Sequence, residues 1–172
     1  FEENTGDGAG ILMAIPDNFF RLEAKKLKFN LPKQGDYAVG NIFLPQNKDE
    51  RAYCIQEIEK TVLDQGLELI GWRDVPTDHE KADVGPAALD AQPFISQLLI
   101  GNNKGSSQED FERQVYLIRK KFTHALRSDT SLEERGLMYA CSLSSTVMAY
   151  KGMLTPAQLF PFYPDLENED FQ

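Results

Sequence analysis

Four things are scarce in this 172-residue chain: cysteine and histidine, with two residues each, tryptophan, with one, and positive charge, with 18 Lys and Arg against 27 Asp and Glu. Two cysteines as far apart as Cys54 and Cys141 make no disulfide framework. They read as reduced thiols, so the expected location is cytoplasmic or a plastid-like reducing compartment. His79 and His124 are also far apart in sequence, and no CxxC, HxxxH or His-carboxylate spacing occurs, so no metal site is expected. The formal charge of −9 would repel a phosphate backbone, and nucleic acid is not an expected partner. Long apolar runs are missing too. Ile11 to Ile15 and Leu98 to Ile100 fall far short of the roughly 20 residues that cross a bilayer, so no membrane span is expected. The opening Phe1-Glu2-Glu3-Asn4 has neither the basic nor the apolar region of a secretory leader.

What is present is a globular composition, 41% hydrophobic and 26% charged, without repeats or biased stretches. A chain of this length buries roughly 70% of the surface its unfolded form exposes, enough for a core without staples. One domain over residues 1–172 is expected. Ala9 to Ile15, stopped by Pro16, reads as a buried strand. Asp17 is placed to cap a helix running to about Phe29, with Phe20, Ala24 and Leu27 on one face and Pro32 as its terminator. Tyr37 to Leu44, Leu67 to Val75 and Phe94 to Ile100 have strand character. Asn47 and Glu50 fit a capping box for a helix carrying Ala52, Ile55, Ile58 and Val62 and stopping at Gly66. Thr77 to Pro93 is polar and turn-rich, a surface stretch.

The strongest helix signal is Gln108 to Arg127, where Phe111, Val115, Ile118, Phe122 and Leu126 recur at steps of four, three, four and four. Ser106 and Glu109 fit its capping box, with acids early and Lys120, Lys121 and Arg127 late, as the helix dipole favours. Leu137 to Leu143 and Thr146 to Tyr150 look like the arms of a hairpin turning at Ser144-Ser145. Thr155-Pro156 opens a short helix ahead of an acidic tail starting at Asp165. Three longer helices and about six strands, with few crossover units, imply an α+β fold of sheets covered by helices.

Each candidate for chemistry has a plainer alternative. Thr5-Gly6-Asp7-Gly8-Ala9-Gly10 could cradle a phosphate, but phosphate loops run from a strand into a helix, and here a strand follows the glycines. A tight turn that brings backbones close together is the competing role. Cys54 and Cys141 serve equally as small buried hydrophobes. Ser144, Ser145 or Cys141 would need a histidine base, and only His79 and His124 are available. Glu2, Glu3 and Asp7 suit a solvated terminus as well as an acid and base pair. Arg113, Lys120 and Lys121 suit a solvated helix face with local ion pairs. No complete active site emerges from these residues.

Five passages taken together are more specific: Thr5-Gly6-Asp7-Gly8-Ala9-Gly10-Ile11-Leu12, Gly71-Trp72-Arg73-Asp74-Val75-Pro76, Ser142-Leu143-Ser144-Ser145, Tyr150-Lys151-Gly152-Met153-Leu154 and Phe162-Tyr163-Pro164-Asp165-Leu166. In order and spacing they resemble the N-terminal class-II glutamine amidotransferase domain of the glutamate synthase large chain, from about Glu3 to Leu166. The resemblance implies a four-layer αββα N-terminal-nucleophile hydrolase fold, two stacked, mainly antiparallel sheets between helices, here incomplete at both ends. It implies an N-terminal cysteine that attacks the side-chain amide of glutamine, its own α-amino group, with a pKa of about 7.7 to 8.0, acting as base. The ammonia would pass to 2-oxoglutarate, the imine being reduced with FMN and an iron-sulfur cluster in other domains of the same polypeptide.

This sequence begins with Phe1, however, and neither Cys54 nor Cys141 carries a free α-amino group. The resemblance also puts the His-Arg-Gly segment before residue 1, and the substrate arginine and the Asn-Gly oxyanion pair beyond Gln172. No catalytic, cofactor-binding or metal residue is therefore assigned, and the isolated chain is expected to be inactive. The expected partners are the remaining domains of the parent, with glutamine as substrate of the complete domain. Uncovered sheet edges are also expected, which a neighbouring segment or another copy in a homo-oligomer would cover. A stand-alone, non-catalytic domain binding a partner or a small amino acid is the alternative. The parent's electron donor, ferredoxin or a nicotinamide nucleotide, is chosen elsewhere in the polypeptide.

Overall fold

Tyr37–Leu44 is the strand on which the molecule is built, and its residues say why: seven of the eight are buried, so both of its faces must be covered. A computed structural model describes residues 6–171. The expectations placed on Phe1, Glu2, Glu3 and Thr5 lie outside those residues. The described elements are β1 (Ala9–Ala14), α1 (Asp17–Leu27), β2 (Tyr37–Leu44), α2 (Lys48–Asp64), β3 (Glu68–Asp74), α3 (Pro86–Asp90), β4 (Phe94–Gly101), α4 (Gln108–Ser128), β5 (Tyr139–Ala140), β6 (Val147–Gly152) and α5 (Pro156–Phe162). Short 3₁₀ turns occupy Arg135–Leu137, Pro164–Glu167 and Glu169–Phe171. An antiparallel sheet runs β3-β4-β2-β5, and β1 pairs with β6 in a second, two-stranded antiparallel sheet.

Period-two alternation sorts the side chains of β2 and β4 into two cores. Ala38, Ile42, Leu98 and Ile100 point to one side, where Cys54, Ile58 and Val62 of α2 and the predicted stripe of α4 cover them. Val39, Ile95 and Leu99 point to the other, where they meet Met148 and Tyr150 of β6, Phe19 and Phe20 of α1, and Leu159 and Phe162 of α5. The result is the α+β class, two antiparallel sheets with helices, that the sequence implies. β1 is half-buried, alternating inward and outward, and its outward Leu12 is 69% exposed. Val147, paired with Ala14 next to it on that sheet, is exposed too.

Several local readings need correction. Asp17 is the first residue of α1 rather than its cap: its carboxylate accepts from Arg21 Nε at 2.8 Å and from the Tyr37 hydroxyl at 2.8 Å. That helix stops at Lys28, which adopts a left-handed φ of 59°, ahead of Pro32, and Leu27 is exposed. The Asn47 cap is real, its Oδ1 accepting from the N–H groups of Asp49 and Glu50. Glu50 does not complete the box, because its carboxylate receives the N–H groups of Glu133 and Glu134 while Glu134 accepts from Asn47 N. Gly66, with φ 73°, supplies the expected left-handed stop after α2.

The cap of α4 is Ser107, one residue later than expected, since Ser106 N is occupied by Asn102 Oδ1. The stretch 77–93 contains α3 and buries Ala82 and Ala88. The predicted hairpin at Ser144-Ser145 does not form. β5 adds to β2 in the large sheet and β6 to β1 in the small one, so these serines carry the chain from one sheet to the other. Glu112 of α4 anchors the crossing by accepting from Ser144 Oγ and Ser145 N, and Ser144 Oγ itself accepts from Thr146 N. Asn41 Nδ2 then donates to Ala149 O at 2.7 Å, and Ala149 N donates to Ser142 Oγ at 3.0 Å, stitching the two sheets together.

Candidate functional site

A cleft of about 580 Å³ opens where the start of β1, the end of β6, β5 and the loop before β4 converge. Gly8 and Gly10 around the start of β1 and Lys151 and Gly152 of its partner β6 line it, together with Tyr139, Tyr163 and apolar side chains. Lys151 Nζ donates to the Tyr139 hydroxyl at 2.9 Å. Arg127, at the end of α4, and Asp7 line the same space, so a few charged groups share the cleft with mostly apolar ones.

The glycine run does what close approach requires. A Cβ on Gly6 would collide with the main chain of Leu154, and one on Gly10 would lie 2.8 Å from Lys151 Cβ and 2.9 Å from Tyr150 O. Gly10→Ala is expected to lower stability, the overpacking costing about 1–3 kcal/mol against the roughly 0.4–1 kcal/mol that alanine gains from a stiffer unfolded chain. Urea unfolding followed by circular dichroism measures the difference.

Behind the β6 wall lies a buried polar circuit that the sequence reading did not foresee. Arg73 of β3 is 7% exposed and grips Asp165 with two hydrogen bonds, Nη1 to Oδ2 at 2.8 Å and Nη2 to Oδ1 at 2.7 Å. Its Nε donates to Glu23 of α1 at 2.7 Å, and its Nη1 also reaches Gln97 Oε1 at 3.0 Å. Gln97 Nε2 donates to the Tyr150 hydroxyl at 2.7 Å, which donates in turn to Asp165 Oδ2 at 2.8 Å. Asp165, expected to open an acidic tail, is 4% exposed. Burial alone would raise the Glu23 carboxyl, but hydrogen bonds and charge from Lys26 and Arg73 outweigh it and hold the pKa below the ordinary value. Desolvation and the adjacent Asp165 charge drive the Tyr150 phenol well above its usual range.

The remaining candidates do not converge. His79 and His124 are both exposed, and the Ser144 hydroxyl donates to Glu112 with no histidine among its partners. Arg113 pairs locally with Glu109 and Asp110, as a solvated face would. Cys54 is fully buried and Cys141 half-buried, both as free thiols. Burial pushes the Cys54 thiol up to about 11 and the Cys141 thiol up to about 12. The unfolded thiols ionise near 8.5. Their raised folded values contribute stability that is complete below about pH 8.5 and is lost as pH rises toward 11 and 12. Iodoacetamide at pH 8 is therefore expected to label neither cysteine in the native chain and both in urea, as read by intact mass. Fast native labelling would contradict this.

Residues 1–172 match the family model described as glutamine amidotransferases class-II. This chain belongs to that family. It is 39% identical over 171 residues to the glutamate synthase [NADPH] large chain of Bacillus subtilis, covering 99% of this chain and 11% of that protein. It is 36% identical over 180 residues to the glutamate synthase [NADH] of Saccharomyces cerevisiae, covering 99% and 8%. To the chloroplastic ferredoxin-dependent glutamate synthase of Oryza sativa it is 35% identical over 168 residues, covering 98% and 10%. The chain thus spans about a tenth of the length of these relatives.

An iron-sulfur cluster or a flavin does not fit the described residues of this chain. The two thiols lie in α2 and beyond β5, both are held protonated, and no three His, Cys, Asp or Glu side chains gather among the described residues. The glycine run leads into β1 rather than a helix, so its amides form no phosphate-binding helix terminus. Among the described residues, no helix is long and apolar enough to cross a membrane.

Proposed function

We propose that residues 1–172 form one partial glutamine amidotransferase domain in the glutaminase portion of a glutamate synthase. The parent polypeptide would hydrolyse the side-chain amide of glutamine and pass the ammonia to 2-oxoglutarate, while its other domains, the partners of this one, reduce the imine with FMN and an iron-sulfur cluster. The 172 residues supply scaffold and one wall of the cleft that faces glutamine; none is assigned as catalytic. The observation that carries this reading is the family match along the whole chain, supported by glutamate synthases that align with 98–99% of it.

A segment exchange tests it. The Bacillus subtilis large chain carrying this sequence in place of its matching segment is expected to keep glutamine-dependent glutamate formation within about tenfold, or ~1.4 kcal/mol in barrier, of the unaltered enzyme. A chimera that melts cooperatively yet forms no glutamate from glutamine overturns the reading. The 172 residues alone are expected to release no ammonia from glutamine above the blank, because the cysteine nucleophile of this family acts with a free α-amino group that neither Cys54 nor Cys141 has. Ammonia release abolished by a thiol-alkylating reagent would refute that.

A further inference from the structure

Arg73, Gln97, Tyr150 and Asp165 make a closed ring of hydrogen bonds in which every direction is determined. The guanidinium can only donate, so Gln97 must turn its Oε1 toward Arg73 and its Nε2 toward Tyr150. Tyr150 accepts that bond and sends its own proton to the carboxylate, which can only accept. The carboxylate closes the ring onto the fork of the guanidinium. Groups that polarise one another in sequence, with no slack rotor among them, hold the Tyr150 ring in one place.

From Tyr150 the path to the cleft is short. The Tyr163 ring packs edge-on against Tyr150, with centroids 4.9 Å apart and planes at 83°, and its hydroxyl donates to the Lys151 carbonyl at 2.9 Å. Lys151 lines the cleft and lies opposite Gly10 across the β1–β6 ladder. A phenol ring is rigid and turns about two side-chain torsions only, so a ring fixed at its hydroxyl restricts the ring packed edge-on against it. We propose that the Arg73–Asp165 couple sets where the β6 wall of the cleft stands, acting through Tyr150 and Tyr163 as positioning residues. The inference rests on the proposed function for the purpose of that wall, but its test needs neither glutamine nor activity.

Amide hydrogen exchange on the full 172-residue chain, read residue by residue by NMR, decides it. Tyr163→Phe removes one hydroxyl and leaves the ion pair alone. Exchange at Lys151, Gly152 and Gly10 is expected to accelerate about tenfold or more, with Val115 and Ile118 of α4 within about twofold of the unaltered chain. Tyr150→Phe, which opens the ring of hydrogen bonds, should give the same local pattern. Arg73→Lys, which keeps the charge but loses the fork, should give a smaller effect at the same amides. Unchanged exchange at the wall in Tyr163→Phe, or equal acceleration at the wall and in α4, overturns the proposal.

Discussion

Asp165→Ala is expected to lower the stability of this chain by about 3–5 kcal/mol, a large part of what a domain of this size possesses. The reason is the charge left behind rather than the bond removed. Arg73 sits beneath the Phe19 ring, 4.9 Å from its centroid, and has Glu23 as its other carboxylate partner. Without Asp165, two guanidinium donors and the Tyr150 hydroxyl lose the acceptor they share, in a site where the guanidinium is almost wholly buried. For a chain of this length the loss corresponds to a fall in melting temperature of roughly 6–20 °C. The pair variant Arg73→Met with Asp165→Leu should cost less than the sum of the single changes, because neither charge is then stranded. Equal sums in urea unfolding would show that the pair is not coupled.

The same circuit gives an acid limb. Glu23 titrates below its ordinary value in the folded chain, so the unfolded state takes up its proton first as pH falls. Its contribution is present above the ordinary glutamate pKa of about 4.3 and disappears as pH drops through the lower folded value. Glu23→Gln is therefore expected to flatten the loss of stability on the acid side.

How much of this was legible depended on the range of the interaction. The α4 stripe was plain because Phe111 to Leu126 repeat within one element, and that helix formed within a residue of its expected bounds. β2 and β4 were legible as apolar runs, and Asn47 was legible as a cap because its partners are two and three residues away. Glu50 was misread because its backbone partners lie 83 and 84 residues off. Ser144-Ser145 has the length of a hairpin turn, but length does not say which sheet each arm will join; Glu112, more than thirty residues earlier, decides that. In the site, the close approach at Gly6 and Gly10 could be read from the run of glycines. The circuit could not. Asp165 looked like the start of an acidic tail, and the arginine that buries it is 92 residues away.

Phe122→Ala is the second large effect, expected to cost about 3–5 kcal/mol. Phe122 is 1% exposed and belongs to the core that joins α4 to α2 and to one face of the large sheet. Alanine is the better helix former, so local propensity would predict a small gain. The cavity term opposes it: β2 and β4 are paired along their whole length, and a sheet held that way cannot sink into the space a missing ring leaves. Leu117→Ala on the exposed face of the same helix is the control, expected within about 0.5 kcal/mol of the unaltered chain. If both variants lost stability equally, the helix rather than the core would be the seat of the effect, and the division of the chain into two cores on either side of β2 would be wrong.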